Sequence, residues 1–214
     1  MAAYIIIAII AYLVGSINFS VIISKRMAGF DVREKGSGNA GSTNVLRTAG
    51  KKPAILTLVC DILKGVVSIL IALLVGKITN CEIAQAAMLI QIAGICVVIG
   101  HTFPIFFGFK GGKGVATALG VLLVTNWQIG LICLVFALVL MALTRIVALG
   151  SIAAAILFPV LCFFITNNYL VGDASTRMSY LVFGIIMAAI VIFNHRSNIQ
   201  RMALGKENRL IFKK

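Results

Sequence analysis

Long apolar runs separated by short polar turns dominate the chain. Residues 4–24, 54–76, 84–107, 128–144, 147–166 and 179–194 form six such runs. Most approach the roughly 20 residues that a helix needs to cross about 30 Å of hydrocarbon, where only closed backbone structures survive. A seventh run, 115–126, has 12 residues. At about 1.5 Å per residue it reaches only about 18 Å, so the turn that begins it should lie within the inner half of the membrane. Irregular backbone at that depth is tolerated only where it is buried in protein or lines a wet cavity. The pattern therefore predicts an all-α integral membrane protein of about seven transmembrane helices. Its short fourth helix starts at a Gly-rich turn, and residues 1–214 form a single domain.

Composition agrees with that solvent: 61% of residues are hydrophobic, 12% charged, and the mean hydropathy is +1.09. The net charge of +13 would suggest nucleic acid in a soluble protein. Here most of the Lys and Arg fall in the first, third and fifth connections and the C-terminal tail. Only Lys77 and Arg177 lie on the other side. The asymmetry predicts an outer N-terminus and a cytoplasmic C-terminus. Contact with anionic lipid then accounts for the charge, and no nucleic acid is needed. The five cysteines form no C-x-x-C pair and read as apolar core or lipid-facing residues. The opening MAAYIIIAIIAYLVG has no basic residue before its apolar run, so it reads as a retained helix rather than a cleaved signal.

Three polar stretches fall on the predicted cytoplasmic face. In GFKGGKGVAT, residues 108–117, the glycines 111, 112 and 114 flank Lys113 ahead of a helix. Such a turn can gather backbone N–H groups and a helix N-terminus around an anion. It can equally be a basic cytoplasmic turn, although its depth and short helix favour a site. The first connection, residues 35–52, sets Ser37, Asn39, Ser42, Thr43, Asn44 and Arg47 among glycines. Their hydroxyls and amides suit a polyhydroxylated or phosphorylated ligand, and Arg47 offers a two-pronged fork to phosphate. His101 and His195 lie beside cytoplasmic ends, and His195 is accompanied by Asn194, Arg196 and Asn198. Either histidine could serve as a base or as a structural residue. Asp61 and Lys64, three apart on one helix, read as an ion pair. Ser151 would return its hydrogen bond to the preceding turn or touch a ligand.

Absences narrow the chemistry. Lys113 is followed by Gly114 where a nucleotide P-loop carries Ser or Thr, so ATP is not expected. Only six acids occur and no metal-binding motif is present, which disfavours a metal-dependent phosphotransferase. Neither histidine has the downstream Asp of soluble-donor glycerolipid acyltransferases; Phe106 and Gln200 stand there instead.

Together, SGNAGSTNVLR (37–47), GHTFPIFFGFKGGKGVAT (100–117) and HRSNIQRMALGKEN (195–208) resemble the three motifs of the bacterial acyl-phosphate:glycerol-3-phosphate acyltransferases, the PlsY-type family. DILKG (61–65) resembles that family's second-helix segment, and Ser42 stands where the family often has Ala. The resemblance implies transfer of a fatty acyl group from acyl phosphate to the 1-hydroxyl of glycerol 3-phosphate, giving lysophosphatidic acid and phosphate. By position it implies that Gly111, Gly112, Lys113 and Gly114 bind the acceptor's phosphate. Ser37, Arg47, His195 and Asn198 fall on the family's essential positions, and Glu207 on an acid important mainly for integrity. Asn39, Thr43, Asn44 and Ser151 are the further expected substrate contacts. No cofactor or metal is expected. The implied location is the bacterial cytoplasmic (inner) membrane, multi-pass, with the site on the cytoplasmic side.

Because acyl phosphate is already activated, direct transfer is expected, with cations on the departing phosphate and no acyl-enzyme. The base is His195 or a donor-phosphate oxygen. A phosphate transporter is the competing reading, but the outer turns, 76–82, 126–128 and 167–179, carry no matching basic cluster. A non-catalytic helical scaffold would leave the loop chemistry without a purpose.

Overall fold

The computed structural model describes residues 1–165 and 174–210, and no strand occurs among them. They form two compact units, Met1–Thr125 and Asn126–Lys214. Among the described residues, six helical spans are long and apolar enough to cross a membrane, and the 11-residue Val115–Thr125 is not. The seventh spanning helix expected from the pattern is thus a half-length element.

In the first unit, the run at 4–24 is two helices, α1 (Ala2–Gly15) and α2 (Phe19–Ala28). Asn18 makes the break by capping α2, its side chain accepting from the Val21 N–H. The first connection is also more ordered than its composition suggested. It holds a 3₁₀ turn (Val32–Glu34) and α3 (Ser42–Thr48), and α4 (Lys51–Ile78) begins on Gly50 at φ +92°. The third run, 84–107, stops being α-helical early: α5 is Ile83–Thr102. Pro104 causes the stop, because its ring disfavours helical backbone at Phe103; a 3₁₀ turn (Ile105–Phe107) then leads to the Gly-rich turn and α6 (Val115–Thr125).

Glycines set the packing of this unit. A Cβ on Gly15 would strike the Val97 carbonyl, and one on Gly100 the Tyr12 carbonyl, so α1 and α5 touch backbone to backbone. Gly65 and Gly120 do the same for α4 and α6, against Thr117 and Ile62. Small residues at such contacts replace the hydrophobic drive that lipid does not supply.

The second unit contains α7 (Trp127–Thr144), α8 (Val147–Phe164), α9 (Ala174–Asn194) and α10 (Arg196–Ala203). Gly150 lets α8 approach α7, since a Cβ there would lie 2.6 Å from the Ala137 carbonyl oxygen. Phe158, Tyr180 and Phe183 form its aromatic core, with Tyr180 and Phe183 stacked at 5.7 Å. All five cysteines are free thiols. Most of the outer turn expected at 167–179, and the tail's Lys213 and Lys214, lie outside the described residues.

Candidate active site

The first motif is built around Asn44. This residue is 2% exposed, and its amide nitrogen donates to the carbonyls of Val32 (2.9 Å) and Lys35 (3.0 Å). Its oxygen accepts from the Ser37 N–H at 2.9 Å. Both ends of the amide thus take part in folding the loop around Ser37. Gly36 and Gly38 supply left-handed backbone on either side, at φ +62° and +70°. A Cβ on Gly36 would also hit the Asn44 oxygen. Ser37 itself is exposed, as is Arg47 near the end of α3; Asn39 and Thr43 are half-buried.

The second motif folds back on the end of α5. The Gly112 N–H donates to the His101 carbonyl and the Gly111 N–H to the Thr102 carbonyl, each at 3.1 Å. Two amides of the expected anion cradle are therefore spent inside the protein. Lys113 and the head of α6 follow directly in the chain. The glycines serve packing instead. A Cβ on Gly111 would collide with the His101 carbonyl, and one on Gly112 with His101 Nε2 and, at 2.5 Å, the Ala40 carbonyl oxygen. Gly114 needs its left-handed φ of +85°. Gly112 is thus the point where the first and second motifs meet.

Beneath it lies a buried charged group. Asp61, Lys64 and His101 are 2%, 3% and 5% exposed. Asp61 and Lys64 pair at 3.0 Å, as their spacing predicted, and His101 Nδ1 lies 3.5 Å from the same carboxylate oxygen. Lys64 also donates to the Gly15 (3.1 Å) and Ile17 (3.0 Å) carbonyls, which the break between α1 and α2 leaves open. The Tyr12 hydroxyl donates to the Phe103 carbonyl at 2.9 Å, holding the start of the second motif. His101 is therefore a structural histidine under the turn, the plainer of its two readings.

The third motif lies in the second unit. His195 is 3% exposed, and its Nδ1 is 2.8 Å from the Val191 carbonyl oxygen. A carbonyl only accepts, so Nδ1 carries a proton. Asn198 donates to Glu207 at 2.8 Å, and Arg201 pairs with the other Glu207 oxygen at 2.9 Å. Glu207 thereby ties the chain beyond α10 back onto it. Ser151, 4% exposed, returns its hydroxyl to the Val147 carbonyl at 3.0 Å, the ordinary arrangement for a helical serine.

Among the described residues the chain is all-helical, with six helices long and apolar enough to cross a membrane and a Gly/Lys turn packed over a buried ion pair, which defines a polytopic membrane protein. The comparisons with known proteins narrow that class. The family model described as glycerol-3-phosphate acyltransferase matches residues 5–205. A glycerol-3-phosphate acyltransferase of Clostridioides difficile (strain 630) is 42% identical over 212 residues, which is 99% of this chain and 98% of the relative. One from Thermoanaerobacter sp. (strain X514) is 42% identical over 203 residues, covering 95% and 93%. Among solved structures, the glycerol 3-phosphate form of PlsY (YgiH), an integral membrane glycerol 3-phosphate acyltransferase, superposes with a TM-score of 0.83. It is 38% identical, with 97% of this chain and 96% of that one covered. The lysophosphatidic acid form superposes with a TM-score of 0.80 at 36% identity, with 97% and 95% covered. The chain belongs to the glycerol-3-phosphate acyltransferase family and is a multi-pass membrane acyltransferase.

Proposed function

We propose that this acyltransferase takes a fatty acyl group from acyl phosphate and passes it to the 1-hydroxyl of glycerol 3-phosphate. The carrying observation is its 38% identity to a protein solved in a glycerol 3-phosphate form, matched over 97% of the chain. The hydroxyl oxygen bonds to the acyl carbonyl carbon, and the carbonyl–phosphate bond breaks. Lysophosphatidate and inorganic phosphate leave. The hydroxyl proton passes to His195 Nε2 or to an oxygen of the departing phosphate.

Lys113 and the head of α6 hold the acceptor's phosphate, and Gly111, Gly112 and Gly114 shape the turn that presents them. Arg47 neutralises phosphate, and Ser37, Asn39 and Thr43 orient it by hydrogen bonding. Asn198 serves the reaction beside His195. The donor is activated and the machinery is cationic, so its main effects are positioning and electrostatic relief of the leaving phosphate. The matched family spans residues 5–205 and so crosses both compact units. This supports reading residues 1–214 as one acyltransferase domain. The charge asymmetry supports a cytoplasmic site in a bacterial inner membrane, with the N-terminus outside.

Lys113→Ala tests the phosphate site. The expected result is lost activity or a greatly raised KM for glycerol 3-phosphate, and near-normal kinetics would remove the turn from the mechanism.

A further inference from the structure

We propose that Arg33 is a positioning residue for the Gly-rich turn, clamping one carbonyl within it and the carbonyl just before it to a buried carboxylate so that the turn holds its phosphate-binding shape. The inference rests on reading residues 108–117 as the acceptor-phosphate site. Arg33 is remote from that turn in sequence, yet its Nη1 donates to the Phe107 carbonyl at 2.7 Å and to the Lys110 carbonyl at 3.4 Å. The rest of the guanidinium faces Asp31: Nε donates to Oδ1 at 3.0 Å and Nη2 to Oδ2 at 2.8 Å. Such a two-pronged contact fixes the plane and direction of the third arm.

Asp31 is itself anchored. It is 6% exposed, accepts the Arg33 backbone N–H at 3.0 Å as the cap of the 3₁₀ turn, and pairs with Lys25 of α2 at 3.3 Å. The Arg33 side chain holds its carboxyl well below the usual carboxylate range, so the anchor stays charged at any working pH.

The segment under the clamp needs holding. The two captured carbonyls bracket Gly108 at φ +65° and Phe109 at φ +58°. A bulky residue disfavours that left-handed backbone, and Phe109 is otherwise held by its N–H donating to the Pro104 carbonyl at 2.9 Å. The clamp also keeps the negative ends of the Phe107 and Lys110 peptide dipoles on a cation.

Arg33→Lys keeps the charge and removes the fork. In the full-length protein in lipid, the variant should raise the KM for glycerol 3-phosphate roughly tenfold, with kcat within about threefold and the KM for acyl phosphate unchanged. Amide exchange at Gly111 and Gly112 should quicken, and Asp31→Asn should move both readouts the same way. Unchanged acceptor KM, equal changes for both substrates, or failure of both variants to fold would each overturn the positioning role. Lys113→Ala measured alongside separates the layers. If it raises the acceptor KM while Arg33→Lys does not, only the clamp falls; if neither does, the phosphate site falls with it.

Discussion

Gly112 shows how a residue's type can be legible while its reason is not. The spacing Gly-Gly-Lys-Gly marked the turn as special, and the glycines suggested amides turned towards an anion. In the fold, the Gly111 and Gly112 amides bond inward to α5, and Gly112 is required because His101 Nε2 and the Ala40 carbonyl occupy the place of a side chain. Spacing cannot show which way an amide points. Gly112→Ala should therefore cost much more thermal stability than Gly108→Ala, where nothing lies within 4 Å of a new Cβ and only the positive φ is penalised, by roughly 1–2 kcal/mol. Melting curves of the two variants decide this, and equal losses would refute the steric account. Asp31 gives a prediction with a definite sign. Its native pKa lies below the ordinary value, so its stabilisation is present above that value and is lost as the pH falls through the native one. The stability gap between wild type and Asp31→Asn should stay constant from about pH 7 to about pH 5, because the ordinary carboxylate value is near 3.9. A gap that shrinks across that window would contradict it.

Elements were legible wherever hydropathy alone decided them. The short run was read as 115–126 and is Val115–Thr125; another was read as 147–166 and is Val147–Phe164. The break at 16–18 was not read, because hydropathy is continuous through it and the capping role of Asn18 shows only in the backbone. Nor were α3 and α10, short helices fixed by tertiary contacts rather than by a long apolar period. The break explains Lys64: a charge in an apolar helix fills carbonyls opened in another. Removing Lys64 alone, as in Lys64→Met, should destabilise the protein by about 3–5 kcal/mol, because Asp61 stays buried without its lysine and with only His101 beside it. The double variant with Asp61→Asn should lose less than the sum of the single losses, as neighbours that share an interaction do. Chemical denaturation in detergent measures both, and strict additivity would show that the pair is not coupled.

For the whole molecule, membrane class and family were readable from composition and from three motifs in order. Of the seven segments expected, six are helices long enough to cross among the described residues, and the run at 115–126 is a shorter apolar helix. Motif spacing also could not reveal the Arg33 clamp, whose partners lie 74 and 77 residues away. The reaction proposed above is direct acyl transfer from acyl phosphate to glycerol 3-phosphate. Omitting the acceptor should therefore trap no labelled acyl-enzyme, and a stable adduct on Ser37 would replace direct transfer with a two-step route. The most direct measurement is phosphate release by the purified protein in lipid, supplied with acyl phosphate. We predict that release requires glycerol 3-phosphate and matches lysophosphatidate formed one for one; no release dependent on glycerol 3-phosphate would contradict it.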